Sequence, residues 1–212
     1  MNLNLDTGQW VVIGLSAFLF IWYFAANAYS RQRGIAAYRW LYRALEGFGK
    51  IQAEWIGASS AGARLVVSKA SKPFQRVEAV YLLEPREFLP YWAFSRLRGK
   101  RDEVVVKITL RFSPKTTLKV RRDSGHQSPN TSNGTGKSIH LLDGFEMIYD
   151  GPEDQRLIDG LKAFLSDQGA SVRMITLQRE APHLVIHAKL SPVLHSPAES
   201  YLDGLQAWFQ DS

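Results

Sequence analysis

The chain of 212 residues carries a formal net charge of +6 and contains no cysteine. It can therefore form no disulfide bond, thiolate zinc site, iron–sulfur cluster or cysteine nucleophile, and any chemistry must come from histidine, serine, carboxylate or basic side chains. The length beyond the first thirty residues is enough for one domain with a sizeable hydrophobic core, or for two small domains.

The first prominent element is an apolar segment, residues 10–29, which contains no charged side chain. As a helix rising about 1.5 Å per residue it spans about 30 Å, the thickness of the hydrocarbon core of a bilayer. A cleaved signal peptide is the alternative, because residues 26–28 (Ala-Asn-Ala) fit a cleavage pattern. However, residues 1–9 contain Asp6 and no lysine or arginine, whereas a signal peptide begins with a positive segment. Residues 1–30 are therefore predicted to be a transmembrane anchor.

The basic residues after the anchor indicate its orientation. Four arginines lie within residues 31–43, and loops rich in lysine and arginine remain on the cytoplasmic side of a membrane. The sequence therefore predicts a single-pass protein of the cell membrane, with its N-terminus outside and its C-terminal domain in the cytoplasm. Two Asn-x-Ser/Thr sequons, at Asn130 and Asn133, would instead indicate an exterior domain if they were glycosylated.

Positive charge is concentrated in the first half of the remaining chain. Residues 31–138 hold 21 basic and 8 acidic side chains, a net charge of +13, whereas residues 139–212 hold 5 and 11, a net charge of −6. The cytoplasmic leaflet is anionic, and each basic group near it contributes about 1 kcal/mol of attraction. We therefore expect the basic half to face the lipid bilayer and its anionic headgroups. Nucleic acid is the less favoured polyanionic partner.

A second helical pattern follows the anchor. Its apolar residues recur at steps of three and four, as in one stripe of an amphipathic helix, and the small residues at 57–62 mark its end. We expect a juxtamembrane amphipathic helix over residues 31–62 that packs against the chain's own domain; pairing with a second copy is the alternative. The stripe consists of Tyr38, Leu41, Leu45, Phe48, Ile51 and Trp55.

Patterns typical of strands begin after these small residues. Residues 64–69 and 74–83 are separated by a short Ser-Lys-Pro turn, and residues 104–112 alternate between apolar and polar positions as a half-buried strand does. The Ser-Pro-Lys turn that follows predicts a hairpin with residues 116–121. Residues 123–138 contain no large apolar side chain, which predicts a flexible loop.

The C-terminal third contains two similar helical segments. Residues 157–165 (LIDGLKAFL) match residues 201–209 (YLDGLQAWF), with apolar residues at equivalent positions. Both follow helix-start signals: Pro152 with acidic residues behind it, and a Ser-x-x-Glu capping box that begins at Ser196. Strand patterns precede each segment, so two β-β-α units are predicted. Chance similarity between two amphipathic helices is the alternative.

Together these patterns predict an α+β protein. A single N-terminal transmembrane helix and the juxtamembrane helix are followed by a soluble cytoplasmic domain, residues 63–212, with an antiparallel sheet and helices packed on one face. The paired β-β-α units are expected to form part of that domain.

Several motifs that resemble catalytic or metal sites lack the structural context that those sites require. Residues 134–138 (GTGKS) end like a phosphate-binding loop, but Thr131 occupies the position of its first glycine and no helix pattern follows. His183 and His187 have the spacing of a helical zinc pair, yet their surroundings predict a strand, along which four residues span about 13 Å. No catalytic residue is identified, and no metal ligand or cofactor site is predicted.

Residues 87–101 form the most unusual stretch after the anchor. Six apolar side chains would surround almost the whole circumference of a helix, and basic residues follow at once. Such a segment packs across the sheet with its basic end in water, or it lies at the membrane interface with its rings at headgroup depth and its bases on phosphates. The residues predicted to contact the membrane surface or a partner are Trp92, Phe94, Arg96, Arg98, Lys100 and Arg101.

Three classes of function remain. A non-catalytic module at the cytoplasmic face, which binds a membrane or cytoplasmic protein or helps to assemble a complex there, is the most economical because it needs no reaction centre. An enzyme built from scattered histidine and acidic residues is the first alternative, and it would require these side chains to converge in a pocket. A nucleic-acid-binding protein is the second, and it would require one exposed basic face away from the bilayer. The residues of that face would be Lys107, Lys119, Arg121 and Arg122.

Overall fold

A computed structural model describes residues 6–57, 61–122, 137–141 and 144–210. Apart from α2, each of its helices and strands has residues in one hydrophobic core or packed against it. In chain order the elements are α1 (Thr7–Glu46), β1 (Ile51–Trp55), β2 (Gly62–Val67), β3 (Phe74–Leu82), α2 (Leu89–Leu97), β4 (Glu103–Leu110), β5 (Thr117–Arg122), β6 (Lys137–Leu141), β7 (Phe145–Asp150), α3 (Gln155–Gln168), β8 (Val172–Leu177), β9 (Leu184–Lys189), α4 (Leu190–His195) and α5 (Ala198–Gln210).

The apolar segment and the region after it form one continuous helix, α1, of 40 residues. The carboxylate of Asp6 caps it by accepting a hydrogen bond of 2.8 Å from the backbone N–H of Thr7. Side chains are almost all exposed as far as Ala25, whereas burial begins at Ala26 and the last turns belong to the core. Within the described residues, α1 is the one helix long and apolar enough to cross a membrane.

The helix predicted for residues 31–62 is wrong beyond Glu46. Ile51–Trp55 forms strand β1, which is antiparallel to β2. Residues four apart lie on one face of a helix and also on one face of a strand, so the spacing of Ile51 and Trp55 fits both structures. Gly49, whose φ of +141° is open mainly to glycine, separates the helix from the strand.

The described strands form one nine-stranded sheet in the order β1-β2-β3-β4-β9-β8-β5-β7-β6, and neighbouring strands are antiparallel. Alternate residues of the strands are buried, as in β4, where Val104, Val106 and Ile108 lie in the core. The buried residues of α1, α3 and α5 belong to the same cluster. Helices α1, α3 and α5 thus cover one face, and no described helix covers the opposite face, here called the open face. The prediction of an α+β fold with an antiparallel sheet is confirmed.

The hairpin predicted between residues 104–112 and 116–121 is wrong. β4 pairs with β3 and β9, whereas β5 pairs with β7 and β8, so the β8–β9 hairpin lies between them. Alternation of apolar and polar residues specifies which face of a strand is buried, but not which strand lies beside it. The apolar positions of β8 and β9 continue the buried face from β4 to β5.

Most of the predicted loop, residues 123–136, lies outside the described residues. Its last two residues, Lys137 and Ser138, instead begin strand β6, opposite Tyr149 and Ile148 of β7. β6 is the last strand in the order of the sheet. A polar sequence suits that place, because an edge strand is hydrogen-bonded on one side only.

The two similar C-terminal segments form helices α3 and α5. A hairpin precedes each of them, β6–β7 before α3 and β8–β9 before α5, with the short helix α4 between β9 and α5. The predicted core residues of both helices are buried: Leu157, Leu161, Phe164, Leu202, Leu205 and Trp208.

The contact between α3 and α5 uses equivalent positions of the two segments. A Cβ added to Gly160 would lie 2.5 Å from Cδ1 of Trp208, and one added to Gly204 would lie 3.5 Å from Cδ2 of Phe164. The rings of Phe164 and Trp208 stack with their centroids 6.1 Å apart. Each helix therefore receives an aromatic ring of the other beside a glycine.

Candidate functional site

Helix α2 lies beside α1, next to the last part of the apolar segment. The ring centroids of Trp22 in α1 and Trp92 in α2 are 5.4 Å apart. Nε1 of Trp22 also donates a hydrogen bond of 3.0 Å to the carbonyl oxygen of Arg86, in the connection between β3 and α2. The folded domain therefore reaches along α1 as far as Trp22, well inside residues 10–29.

Several apolar side chains of α2 are exposed, whereas Leu89, Trp92 and Ala93 are half-buried. Ser95 is the buried residue of this helix, whereas Phe94 is 51% exposed and Leu97 is 87% exposed. Phe88 and Tyr91 are also exposed. A helix of a soluble domain normally turns such residues towards the core. Exposed apolar side chains beside an exposed apolar helix therefore indicate a contact with lipid or with a partner.

A buried carboxylate, Asp102, joins three segments under α2. Its Oδ2 accepts hydrogen bonds of 2.7 Å from Nε of Arg33 and from Nη2 of Arg86, and its Oδ1 accepts one of 2.9 Å from the backbone N–H of Glu84. The side chain of Asp102 is 5% exposed and that of Arg86 is 9% exposed. This network fastens α1 to both connections that flank α2.

A second buried carboxylate, Glu84, lies beside this network. Its Oε2 is 3.9 Å from Nη2 of Arg86 and 3.7 Å from Nη1 of Arg96, and neither of its carboxylate oxygens has a hydrogen-bond partner. At those separations the attraction is coulombic and lacks the stabilisation of a direct hydrogen bond. Glu84 thus holds the Arg96 side chain near the domain without fully neutralising it.

A cleft of about 560 Å³ opens on this network. The register of the sheet assembles it: β4 begins opposite the end of β9, where Glu103 faces Lys189, and β8 begins beside the same end, where Val172 faces Ala188. Asp102 is the one acidic residue among the described residues that line the cleft. Its basic lining residues are Arg33, Arg86, Arg96, Arg101, Arg173 and Lys189.

An apolar groove of about 400 Å³ adjoins the cleft. Trp22, Ala25, Ala26 and Trp92 line the groove, and the same lining includes residues of the cleft. The shared residues are Tyr29, Arg86 and Arg96.

The structure distributes the six residues predicted to contact a membrane or partner over two places. Trp92, Arg96 and Arg101 line the cleft or the groove. The other three are on the exposed side, where the guanidinium carbon of Arg98 is 4.1 Å from the ring centroid of Phe94 and Lys100 is exposed.

Sequence reasoning missed the other basic residues of the cleft. Arg33 lies among arginines that the topology of a membrane protein explains by itself, and Arg173 and Lys189 look like ordinary polar residues of strands. Arg86 and Asp102 are separated by 16 residues and by the whole of α2. Buried charged residues are rare, and nothing in the sequence pattern marks Arg86 or Asp102 as buried.

The chain matches no protein-family model and no curated protein sequence.

The four bases that the nucleic-acid hypothesis required do not line one face. Lys107, Lys119 and Arg121 lie on the open face of the sheet, at positions that alternate with buried residues. Arg122 points to the other side, where its guanidinium carbon is 5.0 Å from the ring centroid of Phe145.

The open face carries charges of both signs. Glu78 has Arg64 at 2.8 Å, Arg76 at 3.6 Å and Lys107 at 3.9 Å. Partial burial acts to raise the pKa of Glu78, but the hydrogen bond from Arg64 and the neighbouring positive charges outweigh it, and the pKa is lowered. The carboxylate therefore stays ionised among these bases, and the face is not a continuous basic stripe.

Three of the described histidines have separate partners. Nδ1 of His183 accepts a hydrogen bond of 2.9 Å from the N–H of Leu110, and Nδ1 of His187 is 2.8 Å from Oε1 of Glu103. Nδ1 of His195 contacts the carbonyl oxygen of Ser191. They do not form the shared pocket that the enzyme hypothesis required.

Proposed function

We propose that this protein is a single-pass membrane protein whose cytoplasmic domain is a non-catalytic module for protein interaction or complex assembly, and that the domain rests on the inner face of the bilayer through α2. The observation that carries the proposal is the exposed apolar surface of α2 beside the exposed apolar part of α1. The open face of the sheet, which no described helix covers, is the surface left for a protein partner.

The geometry of α1 supports this placement. If residues 10–29 cross the hydrocarbon core, Trp22 lies about 10 Å from the level of Tyr29, at about 1.5 Å per residue. Because Trp92 contacts Trp22, the Trp92 ring then lies about 10 Å below the headgroup boundary at Tyr29, the depth to which the apolar face of an interfacial helix is buried. The cleft, at the level of Arg33, then faces the phosphates.

The orientation of the anchor is testable because the chain has no native cysteine. A single cysteine introduced as Gln155→Cys, exposed at the start of α3, is expected to react with an impermeant maleimide only after the cells are permeabilised. The physical reason is the excess of arginine after the apolar segment. The matched variant Thr7→Cys, at the exposed start of α1, is expected to react in intact cells. Labelling of Gln155→Cys in intact cells would contradict the cytoplasmic assignment.

The depth of α2 is testable with a nitroxide attached to a single cysteine in full-length protein reconstituted into nanodiscs. At Phe94→Cys we expect collisions with oxygen, which concentrates in lipid, to exceed collisions with a water-soluble nickel chelate, because the exposed ring faces the bilayer. At Lys119→Cys, exposed on the open face of the sheet, we expect the reverse preference. Equal accessibility of the two labels to the nickel chelate would mean that α2 does not rest on the membrane.

A further inference from the structure

The basic cleft holds more positive charge than its own residues neutralise. Six basic side chains line the cleft, but only two carboxylates lie in or beside it: Asp102 in the lining and Glu84 next to it. Within the described part of the chain, the side chains of Arg173 and Lys189 make no hydrogen bond or ion pair. Cations held together without counterions repel one another, so the cleft favours an anionic occupant. Its volume is within the range of sites for small molecules.

The apolar groove runs along α1, in the direction that an acyl chain would take from a headgroup in the cleft. Trp22, Ala25, Ala26 and Tyr29 are spaced as residues on one face of α1, so the groove runs along the helix axis, away from the cleft and into the apolar segment. The small side chains of Ala25 and Ala26 leave room in the groove beside the rings of Trp22 and Trp92. Arg86 and Arg96 line both spaces, so a single molecule can occupy them together.

We propose that the cleft and the groove together bind one anionic phospholipid of the cytoplasmic leaflet. Its phosphate lies in the cleft near Arg173, Lys189 and Arg96, and one acyl chain lies in the groove that Trp22 and Trp92 help to line. This inference rests on the proposed function, because it needs α2 to stand at the membrane surface. This lipid site differs from a general attraction to an anionic surface because it binds one molecule. It also depends on Arg173 of β8 and Lys189 of β9, which lie outside residues 87–101.

A lipid satisfies both halves of the site, whereas free phosphate satisfies one. A soluble phosphate would leave the groove of about 400 Å³ without an occupant of its own, whereas the acyl chain of a lipid bound in the cleft fills the groove with van der Waals contacts. A zwitterionic lipid would fill the groove but bring a cation into a cleft already rich in cations. The two contacts together therefore select an amphiphile with net negative charge.

The test is native mass spectrometry of the full-length protein in detergent, titrated with dioleoylphosphatidylglycerol or with dioleoylphosphatidylcholine. We expect one molecule of the anionic lipid to bind preferentially, and inorganic phosphate at comparable concentration not to displace it. Equal binding of both lipids would overturn the proposal. Displacement by inorganic phosphate would show that the cleft takes soluble anions, which also overturns the assignment to a lipid.

Two variants separate the halves of the site. The double variant Arg173→Ala/Lys189→Ala is expected to weaken the anionic lipid about thirtyfold, from about 1 kcal/mol for each base. Ala25→Trp, at an exposed position that fills the groove, is expected to lower lipid affinity while leaving the bases intact. The control Lys115→Ala/Lys119→Ala removes the same charge from exposed positions outside the cleft and is expected to bind as the unaltered protein does.

Circular dichroism shows whether each variant folds. If one of the two variants does not fold, the lipid affinity of the other still tests the proposal. Unchanged lipid affinity in a folded double variant, or in Ala25→Trp, would contradict the proposal. The spin-label measurement at Phe94 distinguishes its failure from that of the proposed function. A label in lipid without stoichiometric lipid binding refutes the lipid site alone, whereas a label in water refutes the placement of α2.

Discussion

Replacing Asp102 with alanine is expected to lower the free energy of unfolding by about 3–5 kcal/mol. The change removes the acceptor of two guanidinium groups and of a backbone N–H, all within a buried network. Arg86 would then be left as a buried charge without a hydrogen-bonded carboxylate, with Oε2 of Glu84 at 3.9 Å as its remaining carboxylate neighbour. Unfolding by urea in detergent, followed by circular dichroism, measures the effect.

The matched control is Asp159→Ala. Asp159 forms an ion pair of 3.5 Å with Lys162 on the surface of α3, and its side chain is 60% exposed. Exposed pairs contribute about 0–1 kcal/mol, so this variant should unfold close to the unaltered protein. If Asp102→Ala cost no more than the control, the network would be an incidental contact and would not fasten α1 to the domain.

Truncating Trp208 to alanine is expected to cost about 3–5 kcal/mol of unfolding free energy, as for other buried aromatic residues. Trp208 is 3% exposed, donates a hydrogen bond of 2.8 Å from Nε1 to the carbonyl oxygen of Leu157, and fills the space beside Gly160. Its loss would leave a cavity between α3 and α5 and remove the hydrogen bond to the Leu157 carbonyl oxygen.

Trp55→Ala is the control for this change, because it removes the same side chain from a position that is 53% exposed. Trp55 stacks on Tyr38 with centroids 5.5 Å apart, and its truncation should cost about 1 kcal/mol or less. A cost below 1 kcal/mol for Trp208→Ala would mean that α5 is peripheral and that its contact with α3 does not hold the C-terminal units together.

The periodicity of apolar residues correctly predicted those helices and strands that are specified by residues close together in the sequence. The β2–β3 hairpin has a short turn, β4 alternates along its whole length, and α3 and α5 have amphipathic faces with proline or capping signals at their starts. Each of these features is set by residues within a few positions of one another. The error at Ile51–Trp55 has the same origin, because a spacing of four satisfies both periodicities.

Partners that are distant in the chain left no such signal. The sheet places β8 and β9 between two strands that are consecutive in sequence, and the cleft depends on that insertion because Arg173 and Lys189 come from these strands. Arg33 and Asp102 are 69 residues apart, and Trp22 and Arg86 are 64 apart. The aromatic and basic residues in and after α2 stood out because that segment has an unusual composition. The other residues of the cleft lie in segments of ordinary composition.

The continuity of α1 makes the N-terminal segment a rigid stalk. A flexible linker would let the domain swivel and sample many approaches to a target, at an effective concentration that depends on linker length. Here one helix of 40 residues, about 60 Å long at about 1.5 Å per residue, enters the core without an intervening loop. Whatever holds residues 10–29 therefore also sets the height, tilt and heading of the whole sheet.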